Sequence, residues 1–249
     1  MPRFKLTVEY DGTDYLGWQR QDEGRTIQTA LEEAVAKLMG LTASPEVVGS
    51  GRTDSGVHAL GQVAHVDIDR DLDGYRIMQG INFHLSEPDP TIAVVTAEQV
   101  DAEFNARFHA TKRHYLYRII NRKPRPAIDL NRVWHVPETL DVNKMHEAAQ
   151  QLIGHYDFTS FRDSQCQAKN PEKTLDDISV EQVGQEVHIR VSARSFLHHQ
   201  VRNFAGTLWQ VGTGRIEIAD VKTILEAKDR TKAGQTIAPD GLYLTKVHY

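Results

Sequence analysis

A single aspartate, Asp54, stands in the stretch Gly49-Ser50-Gly51-Arg52-Thr53-Asp54-Ser55-Gly56-Val57-His58-Ala59, two residues after an arginine and among three glycines. Glycine reaches φ > 0 and lets backbone approach a ligand closely, so a carboxylate in such a turn is held at the rim of a sheet rather than inside it. A nearby guanidinium typically lowers a carboxylate pKa by about 1–3 units, and Arg52 is placed to keep Asp54 ionised. Neither the motif nor its immediate flanks supply a second acid. An ionised, positioned carboxylate without a partner acid is a candidate nucleophile. The same residues also fit a Gly-Asp turn that only closes a hairpin.

The elements that must hold this loop are legible on either side. Phe4, Leu6 and Val8 alternate with polar neighbours, the two-residue period of a strand with one buried face. Thr26 is an N-cap for a helix carrying Ile27, Ala30, Leu31, Ala34, Val35 and Leu38 on one stripe, ended by Gly40. Beyond the loop, Ala64, Val66 and Ile68 alternate with His65 and Asp67, which predicts a strand over 62–68. A helix is expected near 73–83 and a strand over 91–95. A further strand over 115–120 places Tyr115, Tyr117 and Ile119 on one face.

Lys123-Pro124-Arg125-Pro126 forbids regular structure and suggests a boundary between an N-terminal half, 1–123, and a C-terminal half, 124–249. In the second half Asp141 caps a helix carrying Met145, Ala148, Ala149, Leu152 and Ile153, closed by Gly154. Strands over 176–183 and 186–193 follow, then a long helix over 195–211 with His198 and Arg202 on one face. A shorter helix over 218–228 and a strand over 242–248 end the chain. Helices and strands mixed without strict βαβ alternation indicate an α+β protein with mainly antiparallel sheets.

Composition bounds the function. The 249 residues are 40% hydrophobic and 25% charged, and no apolar run reaches the ~20 residues of a membrane span. The start, Met1-Pro2-Arg3-Phe4-Lys5, lacks the apolar stretch of a signal peptide, and the single Cys166 cannot form a disulfide within the chain; both fit a cytoplasmic protein. The net charge of −5 is unusual for a nucleic-acid binder. Yet no acid occurs between Glu103 and Asp129, where Arg107, Lys112, Arg113, Arg118, Arg122, Lys123 and Arg125 are interleaved with Phe108, Tyr115 and Tyr117. That mixture suits phosphate neutralisation combined with base stacking. The 12 histidines, including His198-His199, carry no Cys-x-x-Cys or His-Glu-x-x-His spacing, so no metal site is expected. Neither a phosphate-loop nor a dinucleotide-type glycine pattern is present.

Gly51-Arg52-Thr53-Asp54-Ser55-Gly56-Val57-His58-Ala59 resembles the active-site signature of the TruA family of tRNA pseudouridine synthases. Five further blocks match in the family's order. They are Val8–Gly12 with Gly17–Gln21, Ala106–Phe108 with Ala110–Arg118, Asp157–Arg162, Phe196–Asn203 and Gly241–Leu244. The resemblance implies two similar α+β halves with mainly antiparallel sheets joined across a central catalytic cleft. It implies isomerisation of uridine to pseudouridine at positions 38, 39 and 40 of the tRNA anticodon arm, by a homodimer. The implied roles are Asp54 as nucleophile, Tyr115 stacking on the base and moving a proton, Arg202 orienting Asp54 with Arg52 in support, and Leu242 walling the uracil pocket. Arg107, Lys112 and Arg113 are the candidate RNA contacts. His114 stands where arginine is common in the family and Ser50 where alanine is. The reaction transfers no electron and no phosphate, so it needs neither redox cofactor nor nucleotide; attack at C1′, addition at C6 and a glycal route all remain open. A glycoside hydrolase would need a second acid at defined separation, and the intact Arg52-Thr53-Asp54 motif with Tyr115 and Arg202 in step argues against a non-catalytic RNA-binding module.

Overall fold

A computed structural model describes all residues from Met1 to Tyr249. In chain order the elements are β1 (Arg3–Tyr10), α1 (Ile27–Met39), β2 (Val48–Gly49), β3 (His58–Asp67), α2 (Gly74–Leu85), β4 (Ile92–Val100), β5 (Lys112–Asn121), β6 (Trp134–Val136), α3 (Val142–Gln150), β7 (Gly154–Asp157), β8 (Glu172–Val183), β9 (Glu186–Ala193), α4 (Gln200–Gly212), α5 (Asp220–Ala227) and β10 (Leu242–His248). The protein is α+β with mainly antiparallel sheets, as its sequence pattern implies.

The chain divides into two compact units, one comprising Met1–Thr111 with Tyr243–Tyr249, the other Lys112–Leu242. The prolines at 124 and 126 do not mark this division. β5 lies wholly N-terminal to them, yet it pairs along its length with β9, from Arg113↔Ala193 to Ile120↔Glu186, and so belongs with the second unit.

In the first unit the strand order is β4-β1-β3-β10, with β2 also on β3. β1 is antiparallel to both neighbours, and only the β3–β10 pair, Tyr243↔His58 and Leu244↔Ala59, is parallel. Phe4, Leu6, Val8 and Tyr10 are all buried, the face predicted by their alternation. α1 begins with a reciprocal capping box in which the Thr26 hydroxyl accepts from Thr29 N–H and the Thr29 hydroxyl accepts from Thr26 N–H. It ends at Gly40, whose φ of 70° is the left-handed cap a side chain would strain. α1 packs on α2, and α2 on β4.

In the second unit the order is β5-β9-β8-β7, with β6 parallel to β5. α3 packs on β8 and α4, and α4 on β5. Two helix boundaries differ from expectation. α3 begins after Asp141, whose carboxylate accepts from Lys144 N–H at 3.0 Å, but it stops at Gln150. Gly154, expected as its cap, instead opens β7 at φ 128°, where a Cβ would stand 3.0 Å from the Tyr156 ring. α4 begins at Gln200 rather than near 195, because Gln200 Oε1 accepts from Leu197 N–H at 2.8 Å and His199 turns into the left-handed region at φ 61°. His198 therefore precedes the helix and does not share a helical face with Arg202.

Candidate active site

The backbone around Asp54 is fixed by the segment 10–18, which lies against it. Trp18 N–H donates to the Thr53 carbonyl at 3.0 Å, the Tyr10 and Thr53 hydroxyls meet at 2.8 Å, and Ser55 Oγ donates to the Tyr15 carbonyl at 3.0 Å. Val57 N–H closes the turn onto the Asp54 carbonyl at 3.1 Å. Thr53 is buried, Asp54 is half-buried and Ser55 exposed, so the carboxylate stands at the surface of a loop whose flanks are pinned.

The glycines explain how two backbone segments come so close. A Cβ on Gly17, which sits at φ 92°, would lie 2.5 Å from the Thr53 carbonyl oxygen and 3.0 Å from Asp54 C. A Cβ on Gly12 would lie 2.1 Å from the Val57 carbonyl oxygen. His58, which follows the turn, is buried; its Nδ1 lies 3.0 Å from Gly12 N and 3.1 Å from Asp11 Oδ1, and its ring stacks on Tyr243 at 4.7 Å. On the other side Ser50 Oγ donates to Gln62 Oε1 at 2.7 Å, and Gln62 Nε2 donates to the Gly51 carbonyl at 3.0 Å.

Arg52 does not behave as its spacing from Asp54 suggested. Its side chain is exposed and its Nε donates to Gln19 Oε1 at 3.2 Å, so the guanidinium engages Gln19 and not the carboxylate two residues on. The pairing with Asp54 expected from the sequence is not made.

In the second unit Tyr115 pairs with Val191 across β5–β9 and presents its ring edge-to-face to Phe196 at 5.1 Å. It shares a face of β5 with Tyr117, whose hydroxyl donates to the Ala238 carbonyl at 2.7 Å. Burial drives the Tyr117 hydroxyl pKa well above its usual value, which leaves that phenol a fixed donor. Arg202, near the start of α4, donates from Nε to the neighbouring Ile237 carbonyl at 2.7 Å. The segment bearing that carbonyl is held in turn by Asn203 Oδ1, which accepts from Arg230 at 2.9 Å and from the Thr236 hydroxyl at 2.6 Å. It also touches α4 at backbone level, since a Cβ on Gly206 would lie 2.0 Å from the Gln235 carbonyl oxygen. Leu242 follows a single turn of 3-10 helix, Pro239–Gly241, and is buried. Gly241 packs against Arg118 O and the Tyr117 ring.

The basic run is only partly available to a polyanion. Lys112 pairs with Asp176 at 3.0 Å, and Arg118 is held by both oxygens of Glu186, at 2.9 and 2.7 Å. Arg113 donates to the Arg194 carbonyl. Arg107 is exposed and lies over the Phe108 ring at 5.7 Å.

The sequence assigned no part in supporting the Asp54 loop to Tyr10, Tyr15, Trp18, Gln19, Gln62, Gln28 or Glu32. The last two carried a signal. Gln28 and Glu32 are polar, four apart, and flank the apolar stripe of α1, where both prove to be buried.

Comparison with known proteins shows the family of the chain. The family model for tRNA pseudouridine synthase matches residues 6–109 and 148–249. Proteins called "tRNA pseudouridine synthase A" align over all 249 residues: one from Bartonella henselae is 50% identical and one from Afipia carboxidovorans 54%, each covered completely. One from Agrobacterium fabrum is 51% identical, with 93% of its length covered. Among solved structures, one described as a Cbf5-Nop10-Gar1 complex matches at 13% identity with a TM-score of 0.37, over 96% of this chain and 57% of that one. The chain belongs to the tRNA pseudouridine synthase family, a family of isomerases. No helix is long and apolar enough to cross a membrane.

Proposed function

We propose that this protein isomerises uridine to pseudouridine at positions 38, 39 and 40 of the tRNA anticodon arm, with Asp54 as the nucleophile. The observation that carries the reading is the Asp54 loop itself. A half-buried aspartate is carried on a loop whose neighbouring residues, Thr53 and Ser55, are anchored by contacts to Tyr10, Trp18 and Tyr15. A nucleophile held this way loses little freedom on reaching an anomeric or C6 carbon, which is the condition for covalent catalysis by a carboxylate.

Tyr115 supplies an aromatic face for the uracil and a hydroxyl for proton removal from C5. Arg202 orients the nucleophile; its Nε bond to Ile237 supports that role by fixing the guanidinium plane. Leu242 forms an apolar wall of the base pocket. Arg107, Lys112 and Arg113 contact the RNA backbone, Lys112 exchanging its ion pair with Asp176 for phosphate. Arg52 supports the site through RNA rather than through Asp54, given its engagement with Gln19. The working protein is a cytoplasmic homodimer on tRNA, using no cofactor and no metal.

Unmodified tRNA treated with the purified protein should gain pseudouridine, mapped by chemical derivatisation, at those three positions. Asp54→Asn should abolish the gain while RNA binding persists. Substantial turnover by Asp54→Asn refutes the nucleophile assignment.

A further inference from the structure

A group of hydrogen-bonded polar residues in the first unit, buried at Gln28 and Glu32, leads outward to Arg52. Glu32 lies on α1 with its side chain only 1% exposed. Its Oε2 accepts from Arg20 Nε at 3.0 Å and also from Arg20 Nη2; its Oε1 accepts from Val47 N–H and from Gln28 Nε2, both at 3.0 Å. Gln28 is buried too. Its amide nitrogen also donates to the Val47 carbonyl at 3.1 Å, and its oxygen accepts from Gln19 Nε2 at 2.8 Å and Arg20 N–H at 2.9 Å. Gln19 Oε1, finally, accepts from Arg52 Nε.

Each link runs in one direction. Arg52 donates to Gln19, Gln19 to Gln28, and Gln28 to Glu32, so the row begins at a cation and terminates at a carboxylate. Gln28 uses both amide hydrogens and accepts two bonds at its oxygen, which leaves its amide no alternative flip. A row of aligned dipoles between opposite charges strengthens each of its bonds. A buried carboxylate is costly to retain unless fully bonded, and here it is fully bonded by this row, Arg20 and Val47. Only Nε of Arg52 is engaged, so both Nη groups, on an exposed side chain, have no protein partner. Two parallel N–H donors in that fork match the geometry of a phosphate oxygen pair.

We infer that Gln19, Gln28 and Glu32 are positioning residues that hold Arg52 with its two Nη groups presented to a phosphodiester of the RNA substrate. The inference rests on the reading that RNA is bound beside Asp54. It places the anchor of that phosphate contact in the core of α1, remote from the RNA.

The test is the affinity of the full-length protein for unmodified tRNA across about 50 to 200 mM salt. Arg52→Ala should weaken binding and make the dependence of log K on log salt shallower by about one phosphate contact. Gln19→Ala should raise Kd roughly 3- to 10-fold and make the slope shallower in the same sense. Introduced into Arg52→Ala, it should add nothing. Arg52→Lys should not restore binding, since a lysine cannot serve Gln19 and a phosphate pair together. Glu32→Gln should reproduce Gln19→Ala; if that variant fails to fold, the half-exposed Gln19 still decides. An unchanged Kd and slope in Gln19→Ala, or an equal loss with and without Arg52, overturns the proposal. Asp54→Asn in a turnover assay tests the isomerase reading separately: an active Asp54→Asn sinks that reading, whereas an inert Gln19→Ala beside an inactive Asp54→Asn sinks only the relay.

Discussion

Gly17→Ala is the sharpest probe of how the Asp54 loop is held. At φ 92° any side chain is strained, and the new Cβ would stand 2.5 Å from Thr53 O, 3.0 Å from Asp54 C and 3.1 Å from Ser55 N. All three are backbone atoms of the loop, so no rotamer change relieves the contact. Reaching the 3.4 Å of ordinary contact from 2.5 Å requires the loop to recede by 0.9 Å, the difference of those two distances. A displacement of about 1 Å at a reacting group costs on the order of 100-fold in rate. The backbone strain adds about 1–2 kcal/mol to the folding cost, and in a chain of this size each kcal/mol lowers Tm by about 2–4 °C. Gly184→Ala is the matched control: its φ is 60°, and nothing lies within 4 Å of the new Cβ. Both variants should lose a few degrees of Tm, but only Gly17→Ala should lose about two orders of magnitude in single-turnover rate at saturating tRNA. Equal rates in the two variants would refute the claim that Gly17 sets the position of Asp54.

Two further predictions concern the second unit. Tyr115→Phe keeps the ring and removes the hydroxyl; if that oxygen moves the C5 proton, single-turnover rate should fall about 10²–10⁴-fold with tRNA affinity retained, and a full rate would leave stacking alone. Hydrogen bonding to the Arg118 guanidinium, against the opposing effect of burial and with help from His188, holds the Glu186 carboxyl below its usual value. A carboxylate pKa lowered by folding contributes stability above its unfolded pKa of 4.5 and loses it as pH falls through the folded value. Glu186→Gln should therefore cost about 1.5–3 kcal/mol near neutral pH in urea unfolding, and the gap from the parent should close in acid; a gap independent of pH contradicts the pairing.

Much of the architecture was readable where local chemistry decides it. Thr26 and Gly40 bound α1, and Asp141 starts α3, because caps act through atoms a few residues away. The boundaries that moved are those decided by contacts outside the element. Gln200 Oε1 reaches back to Leu197 N–H and starts α4 late; β5 joins the second unit because its ladder partner is β9. β6 and β7, three and four residues long, exist only as partners of longer strands, and no period can reveal so short a run. Within the site, the motif located Asp54 and its glycines, whereas the partners of Thr53 and Arg52 depend on chain crossings that spacing does not encode.

The basic run shows the same limit for charge. Along the chain, seven cations between Glu103 and Asp129 stand without an acid, which suggests an open polyanion surface. In space, Lys112 has Asp176 beside it and Arg118 has Glu186, because β5 pairs with β9 and β9 pairs with β8. A cation already paired gains only the difference between its protein partner and a phosphate, whereas one with exposed, unpartnered N–H groups gains the whole contact apart from its own desolvation. Arg52, outside the run altogether, is the better placed of the two kinds, held by a neutral amide that leaves its charge uncompensated. Affinity for an anionic substrate is thus governed less by how many basic residues cluster in sequence than by which of them the fold leaves bonded to neutral acceptors.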